Sequence, residues 1–345
     1  MNFTRLLTIA IALVIAATAA ACGGSGSGSS TATSSATSAA STTEPVSITF
    51  SHDWPTVDFE IIPLVVADEQ GYFAEQGINV EVVFPPDPAS ATKIVATGDS
   101  QLGLITTTDM VFAGEKDLPV IAIGNYTMSN NWGLFTKPGV PISLDTLKGK
   151  KIATYGDSWT NAMLPFVLDQ AGLTSKDVET VVVDWDLPLL LSGKVDVTTN
   201  TTNFLIAGVQ DETGKEPGML LAKDNGAPNV PVWVYAANKE FAAQNPAAVK
   251  GFMAAIAKAT AWAGAHPDEA VALYEKAYAD NGGSTKYNMI GWKDTFTYMA
   301  NSDGQLFVQT DQQWIDLNSA LSDIGQLKSP AEPSVLYTNE YLPTP

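Results

Sequence analysis

The sequence predicts an α/β protein of two lobes, and three observations predict it. Apolar, β-branched runs alternate with helix-periodic stretches from Val46 to Thr106 and again from Lys151 to Thr199, the pattern of layered α/β folds. The segment 96–107 is echoed by the segment 191–202. Setting aside the first 44 of 345 residues leaves enough chain for two separate cores.

Residues 1–21 read as a signal peptide. Met1 to Arg5 supply a weakly basic start and Leu6 to Ala21 an apolar run of 16 residues, short for a membrane span and suited to an exported leader. Ala19-Ala20-Ala21-Cys22-Gly23 follows, with small residues before the chain's single cysteine. This resembles a bacterial lipobox, which implies lipidation at Cys22 and anchoring on the extracytoplasmic face of the cell membrane. No second cysteine exists for an intrachain disulfide or a thiolate metal site. Residues 22–44, rich in Ser, Gly, Thr and Ala, lack the apolar groups that offset ordering entropy. They form a flexible tether with a reach of roughly 25 Å.

The first α/β unit is expected as strand Val46 to Ser51, helix Ile61 to Gln76, strand Asn79 to Phe84, helix Ala89 to Thr97 and strand Leu102 to Thr106. A link near Trp132 to Pro138 leads to the second: Lys151 to Thr154, Asn161 to Ala171, Glu179 to Asp184, Leu187 to Ser192 and Val195 to Thr199. Pro231 to Asn238 reads as a strand returning to the first unit. Pro246 to Ala265, Pro267 to Ala279, Tyr287 to Ala300 and Thr310 to Gly325 carry apolar residues at helical spacing and are expected on the outside of the first lobe. The boundaries that follow are 45–135 plus 237–345 for lobe 1 and 136–236 for lobe 2, with two crossings forming a hinge.

In both copies of the repeat a helix ends at glycine, Gly98 or Gly193, and a short strand opens into a Thr-rich turn. The glycines read first as helix terminators. Ligands of open α/β sheets sit beyond the carboxyl ends of strands, so Thr106, Thr107 and Thr108 in one copy and Asn200 and Thr201 in the other are candidates to face a shared cleft. They also suit caps of the following helices. Trp159, Thr160 and Asn161 fall between a strand and a helix, and Trp185 follows the next strand in the same way; Trp233 lies on the returning strand.

Charge narrows the partners. Without Arg5 the chain keeps 17 basic against 37 acidic residues, a surface repelled by nucleic acid and by anionic lipid. Membrane contact is therefore expected only through the lipid anchor. No arginine follows Arg5, so guanidinium clamps on carboxylate, sulfonate or phosphate are absent, and a neutral or cationic ligand is favoured over an anionic one.

His52-Asp53-Trp54-Pro55, the run Val66 to Val83 containing Gly71-Tyr72-Phe73, Pro85-Pro86-Asp87-Pro88, Leu147 to Ile152 and Leu191 to Asp196 together resemble the thiamine-pyrimidine-precursor and aliphatic-sulfonate branch of periplasmic binding proteins. The resemblance covers most of residues 46–240. It implies a type II binding fold, two α/β lobes joined by a two-strand hinge around a ligand cleft, a monomer, and an ABC transporter permease as partner. It also implies Asp53 as a hydrogen-bond acceptor and Trp54 as a stacking face for a flat heteroaromatic solute; Trp159, a candidate from its position between strand and helix, is expected on the solute's other side. Two departures stand out: Thr56-Val57-Asp58-Phe59-Glu60 replaces an Asn-rich stretch, and Gln101 replaces a usual Asp.

The expected function is capture of a small solute for an importer, without catalysis, cofactor or metal. The alternatives are a receptor for a sulfonate or nitrate and a surface sensor or adhesion lipoprotein. The family also resembles pyrimidine synthases that use a pyridoxal cofactor with lysine and histidine partners; this chain has only His52 and His266 and shows no metal-ligand spacing or nucleophile elbow.

Overall fold

The computed structural model describes residues 44–280 and 283–343. The signal peptide, Cys22 and the tether expected over residues 1–43 lie outside the described residues. The chain runs β1 (Val46–Ser51), α1 (Ile62–Glu69), α2 (Tyr72–Glu75), β2 (Ile78–Val83), α3 (Ala91–Thr97), β3 (Leu102–Thr106), α4 (Thr107–Glu115) and β4 (Val120–Asn125). It continues through β5 (Trp132–Thr136), β6 (Lys151–Thr154), α5 (Ser158–Gln170), β7 (Glu179–Val182), α6 (Leu187–Ser192), β8 (Val197–Thr201), α7 (Thr202–Thr213) and β9 (Gly218–Leu221). It returns through β10 (Trp233–Asn238) and ends in α8 (Lys239–Gln244), α9 (Pro246–Ala265), α10 (Pro267–Ala277), α11 (Thr285–Thr297), α12 (Asp311–Asp323) and α13 (Pro333–Leu336).

The strands form two five-stranded sheets, ordered β2-β1-β3-β10-β4 and β7-β6-β8-β5-β9. In the first, β10 is antiparallel to β3 and β4; in the second, β5 is antiparallel to β8 and β9. The remaining pairs are parallel. Each sheet thus takes one reversed strand next to its third. This places the expected link near residue 132 differently: Trp132–Thr136 is a whole strand of the second sheet, and Trp233–Asn238 a whole strand of the first. The segments that join the two sheets are residues 126–131 and 222–232, where the crossings were expected near 132–138 and 230–238. An all-apolar stretch such as Trp132-Gly133-Leu134-Phe135 reads as a link only when its pairing on both edges is unseen.

The repeat holds residue for residue. Gly98 (φ 81°) ends α3 and Gly193 (φ 73°) ends α6, both left-handed C-caps, the conformation that favours glycine. β3 and β8 begin four residues later, and α4 and α7 start directly at their ends. Gln101 is structural: its Oε1 accepts from the Thr49 amide and its Nε2 donates to the Gly98 carbonyl.

The first core is aromatic at its centre. Phe252 on α9 stacks on Phe50 of β1 at 5.7 Å and on Phe73 of α2 at 5.9 Å. As expected, α9 and α10 pack on α1, and α12 packs on α4. α11 packs on α10 of the first lobe as expected, and in addition lies against α7, the helix that follows the second sheet's β8. Its buried face is Asn288, Gly291, Trp292 and Thr295, half polar, so apolar periodicity could not show its partner. A Cβ at Gly291 would lie 2.3 Å from the Phe59 ring. No helix among the described residues is long and apolar enough to cross a membrane.

Candidate functional site

The two crossings run side by side. The Tyr126 amide donates to the Trp233 carbonyl, the Val232 amide to Thr127 Oγ1, and the Asn130 amide to Asn229 Oδ1. Around them the carboxyl ends of β1, β3, β6 and β8 converge, and the lobes touch on both sides. On one side Ser158 Oγ lies 3.4 Å from Thr106 Oγ1 and 3.3 Å from Thr108 Oγ1, and the Trp54 ring meets Tyr155 edge-on at 5.2 Å. On the other, Phe59 packs on Phe204 at 4.7 Å.

Between these contacts runs a chain of buried polar side chains. Trp233 Nε1 donates to Asp53 Oδ2 at 2.7 Å. Asp53 Oδ1 lies 3.4 Å from His52 Nδ1, whose Nε2 is 3.0 Å from Asp58 Oδ2. Asp58 Oδ1 accepts from the Glu60 amide. Glu60 Oε1 accepts from Asn203 Nδ2 at 3.0 Å, and Asn203 Oδ1 accepts from Asn131 Nδ2 at 3.2 Å. Tyr126 OH donates to the Glu60 carbonyl. The first lobe supplies Trp233, His52, Asp53, Asp58 and Glu60, and the second supplies Asn203, with Asn131 at the crossing.

Burial sets the charges of this chain. It opposes charge on the His52 imidazole, but the carboxylates of Asp58 and Asp53 outweigh it and hold that pKa above its ordinary value. Burial, reinforced by Asp58, pushes the Asp53 carboxyl up to about 6 against the pull of His52 and the Trp233 bond. Burial and the Asp58 and Asp53 charges push Glu60 well above the usual carboxyl range. His52, Asp58 and Glu60 bring one ligand-type atom each within 4.8 Å, a grouping invisible in linear spacing. His52 is bonded to Asp58, Asp58 to the Glu60 amide and Glu60 to Asn203.

Of the residues singled out from sequence, Asp53 and Trp233 are joined directly. Thr106 accepts from the Asp109 amide as a cap and reaches Ser158; Thr107 Oγ1 donates to the Pro231 carbonyl on the second crossing. Trp159 and Thr160 are buried, and Trp159 Nε1 has no hydrogen-bond partner. Asn161 is exposed and donates to the Gly156 carbonyl. Asn200 Nδ2 donates to Asp186 Oδ2, and Thr201 Oγ1 is buried without a partner. Trp185 is 69 % exposed; the residue turned inward at that strand end is its neighbour Asp186, which also accepts from Thr198. Trp54 is half-buried and its ring partner is Tyr155.

The profile of the NMT1/THI5-like family matches residues 58–270. The chain belongs to that family. A protein of Haemophilus influenzae named for thiamine biosynthesis is 30 % identical over 275 residues, 78 % of this chain and 85 % of that one. The 4-amino-5-hydroxymethyl-2-methylpyrimidine phosphate synthase of Candida albicans is 26 % identical, covering 86 % and 88 %. The formylaminopyrimidine-binding protein of Halalkalibacterium halodurans is 28 % identical, covering 60 % and 64 %. Among solved structures, the periplasmic aliphatic sulphonate binding protein SsuA of Escherichia coli superposes with a TM-score of 0.64 at 16 % identity, covering 84 % and 91 %. The fold is that of the periplasmic binding proteins.

In this NMT1/THI5-like chain sequence reasoning missed His52, Asp58, Glu60, Asn131 and Asn203. A signal existed for two of them: the departure at Asp58-Phe59-Glu60 marked a changed surface. Asn131 and Asn203 offered none, because each gains its meaning from a partner 72 residues away.

Proposed function

We propose that this protein is an extracytoplasmic substrate-binding lipoprotein, held through Cys22, which captures a small flat heteroaromatic solute and passes it to an ABC importer. The observation that carries this reading is the buried polar chain at the junction of two lobes, with unpartnered atoms on His52, Asp53, Asn131, Trp159 and Thr201. A buried polar atom without a partner costs about 1–3 kcal/mol, and unpartnered atoms such as Thr201 Oγ1 at the end of β8 suit a bound guest. Contacts such as Asn203 to Glu60 exist only with the lobes together, so a solute that favours this arrangement favours closure. The relatives named for pyrimidine binding and thiamine biosynthesis support a pyrimidine-like ring, with Trp54 and Tyr155 as the aromatic wall.

The synthase relatives favour a second reading, a pyrimidine-forming enzyme. A pyridoxal cofactor needs a lysine to hold it, and the polar chain from Trp233 to Asn131 contains none. The residues present do not fit that cofactor.

The test is calorimetry of the purified protein against 4-amino-5-hydroxymethyl-2-methylpyrimidine, formylaminopyrimidine, alkanesulfonates and nitrate, with Trp54→Ala alongside. Loss of a ring-stacking face costs about 1–3 kcal/mol, so Trp54→Ala should weaken a heterocycle roughly tenfold to a hundredfold. A sulfonate bound equally by both proteins would overturn the reading.

A further inference from the structure

We infer that His52, Asp58 and Glu60 form a binding site for one divalent transition-metal ion of the zinc class, which fastens the loop between β1 and α1. The inference goes beyond the receptor reading above and does not depend on it.

Four observations lead to it. The first is placement. β1 ends at Ser51, and Asp58 caps the short turn Phe59–Ile61 that leads into α1, so one connecting loop carries all three side chains. The second is donor type and burial. Among the described residues these are the one group of three histidine, cysteine or acidic side chains whose ligand atoms all lie within 4.8 Å of one another, and all three are buried. One imidazole nitrogen with two carboxylates suits zinc, manganese or ferrous iron, whereas calcium and magnesium take oxygen alone. The third is spacing. Ligand atoms about 2.0–2.2 Å from an ion lie about 3.0–3.4 Å from one another, and His52 Nε2 and Asp58 Oδ2 already stand 3.0 Å apart. Drawing in the widest pair takes a contraction of about 1–2 Å, within the reach of a glutamate side chain. The fourth is the surrounding shell. A metal-bound imidazole gives its other N–H to a carboxylate; His52 Nδ1 faces Asp53 Oδ1 at 3.4 Å, and neither atom has another partner. That pairing selects the tautomer whose Nε2 is the free ligand. Asp58 is held by the Glu60 amide and Glu60 by Asn203 Nδ2. Neither lysine nor arginine is bonded to these carboxyl groups, so the ion supplies the positive charge that they lack. The pKa directions given above belong to the ion-free cluster, in which a proton joins His52 to Asp58 where the ion would stand. Three protein ligands leave the fourth position to water.

The purified protein is stripped with a chelator, titrated with zinc, calcium and magnesium chlorides by calorimetry, and assayed for retained zinc by plasma mass spectrometry. One zinc per chain should be retained, and calcium and magnesium should bind at least about a hundredfold more weakly. His52→Gln and Asp58→Asn should each weaken zinc at least about a hundredfold. Asp53→Asn, which acts only by orienting His52, should weaken it about tenfold to a hundredfold, and His266→Gln, at the chain's other imidazole, should leave it unchanged. If a variant folds poorly, X-ray absorption at the zinc edge of the unaltered protein decides. A shell of one imidazole nitrogen and oxygens upholds the site; a sulfur ligand, as from Cys22, or oxygen alone overturns it. No retained zinc, binding indifferent to His52→Gln, or calcium bound as tightly as zinc overturns it too. The solute panel above is run on the ion-free protein, so failure here leaves the receptor reading standing.

Discussion

Glu60 shows how much a single buried side chain can hold back. Its carboxyl pKa is raised by burial and by the Asp58 and Asp53 charges while its Oε1 accepts from Asn203. A carboxyl whose folded pKa lies above its unfolded one opposes folding as pH rises past the ordinary glutamate range, because the unfolded chain releases the proton first. Glu60→Gln keeps the acceptor and removes the titration. Its melting temperature should therefore exceed that of the parent by a few degrees near neutral pH, and the gap should close near pH 4. Differential scanning calorimetry across that range checks it. Asn203→Ala acts in the opposite direction. It strips donors from Glu60 and Thr295 and an acceptor from Asn131, a loss of about 1–3 kcal/mol, and denaturant titration should show it.

The elements with the plainest local signals were legible in the sequence. β1, β3, β6, α6 and α9 match the expected ranges residue for residue, because each is bounded by glycine, proline or a Thr-rich turn. β4, α4, α7 and β9 went unassigned, and β5 passed for a link, because their identity comes from pairing and packing partners far along the chain. Asp53 and Trp233 were both picked out, yet nothing in the sequence said that one bonds the other across 180 residues. The partner of α11 was illegible for a related reason: its buried face is polar and is recognised by Asn203, Thr202 and Phe59. Gly291→Ala tests that contact. The added methyl meets the Phe59 ring, which is itself wedged against Phe204 and Tyr287, so overpacking should lower stability by about 1–3 kcal/mol. Small-angle scattering of the same variant should report a larger radius if the displaced ring holds the lobes apart.

At the scale of the whole molecule the buried cluster sets the pH profile. His52, with its pKa raised, contributes stability that is complete below about 6.5 and lost as pH climbs through its folded value. Asp53, raised to about 6, and Glu60 oppose folding increasingly once the pH exceeds the ordinary carboxyl range. All three slopes have the same sign, so the melting temperature should decline from about pH 5 toward pH 8; a profile rising through that interval would contradict the charge assignments. Glu115 and Asp177, whose pKa values are lowered, are exposed and contribute little.

The two-fold echo of the chain has one more consequence. Had the turns after β3 and β8 stayed identical, each would present the same groups at the end of its strand. They have diverged. The Thr106 hydroxyl is engaged by Asp109 and Ser158, while its counterpart Thr201 keeps its own unengaged. Two positions that correspond in the repeat thus present different chemistry at the ends of their strands.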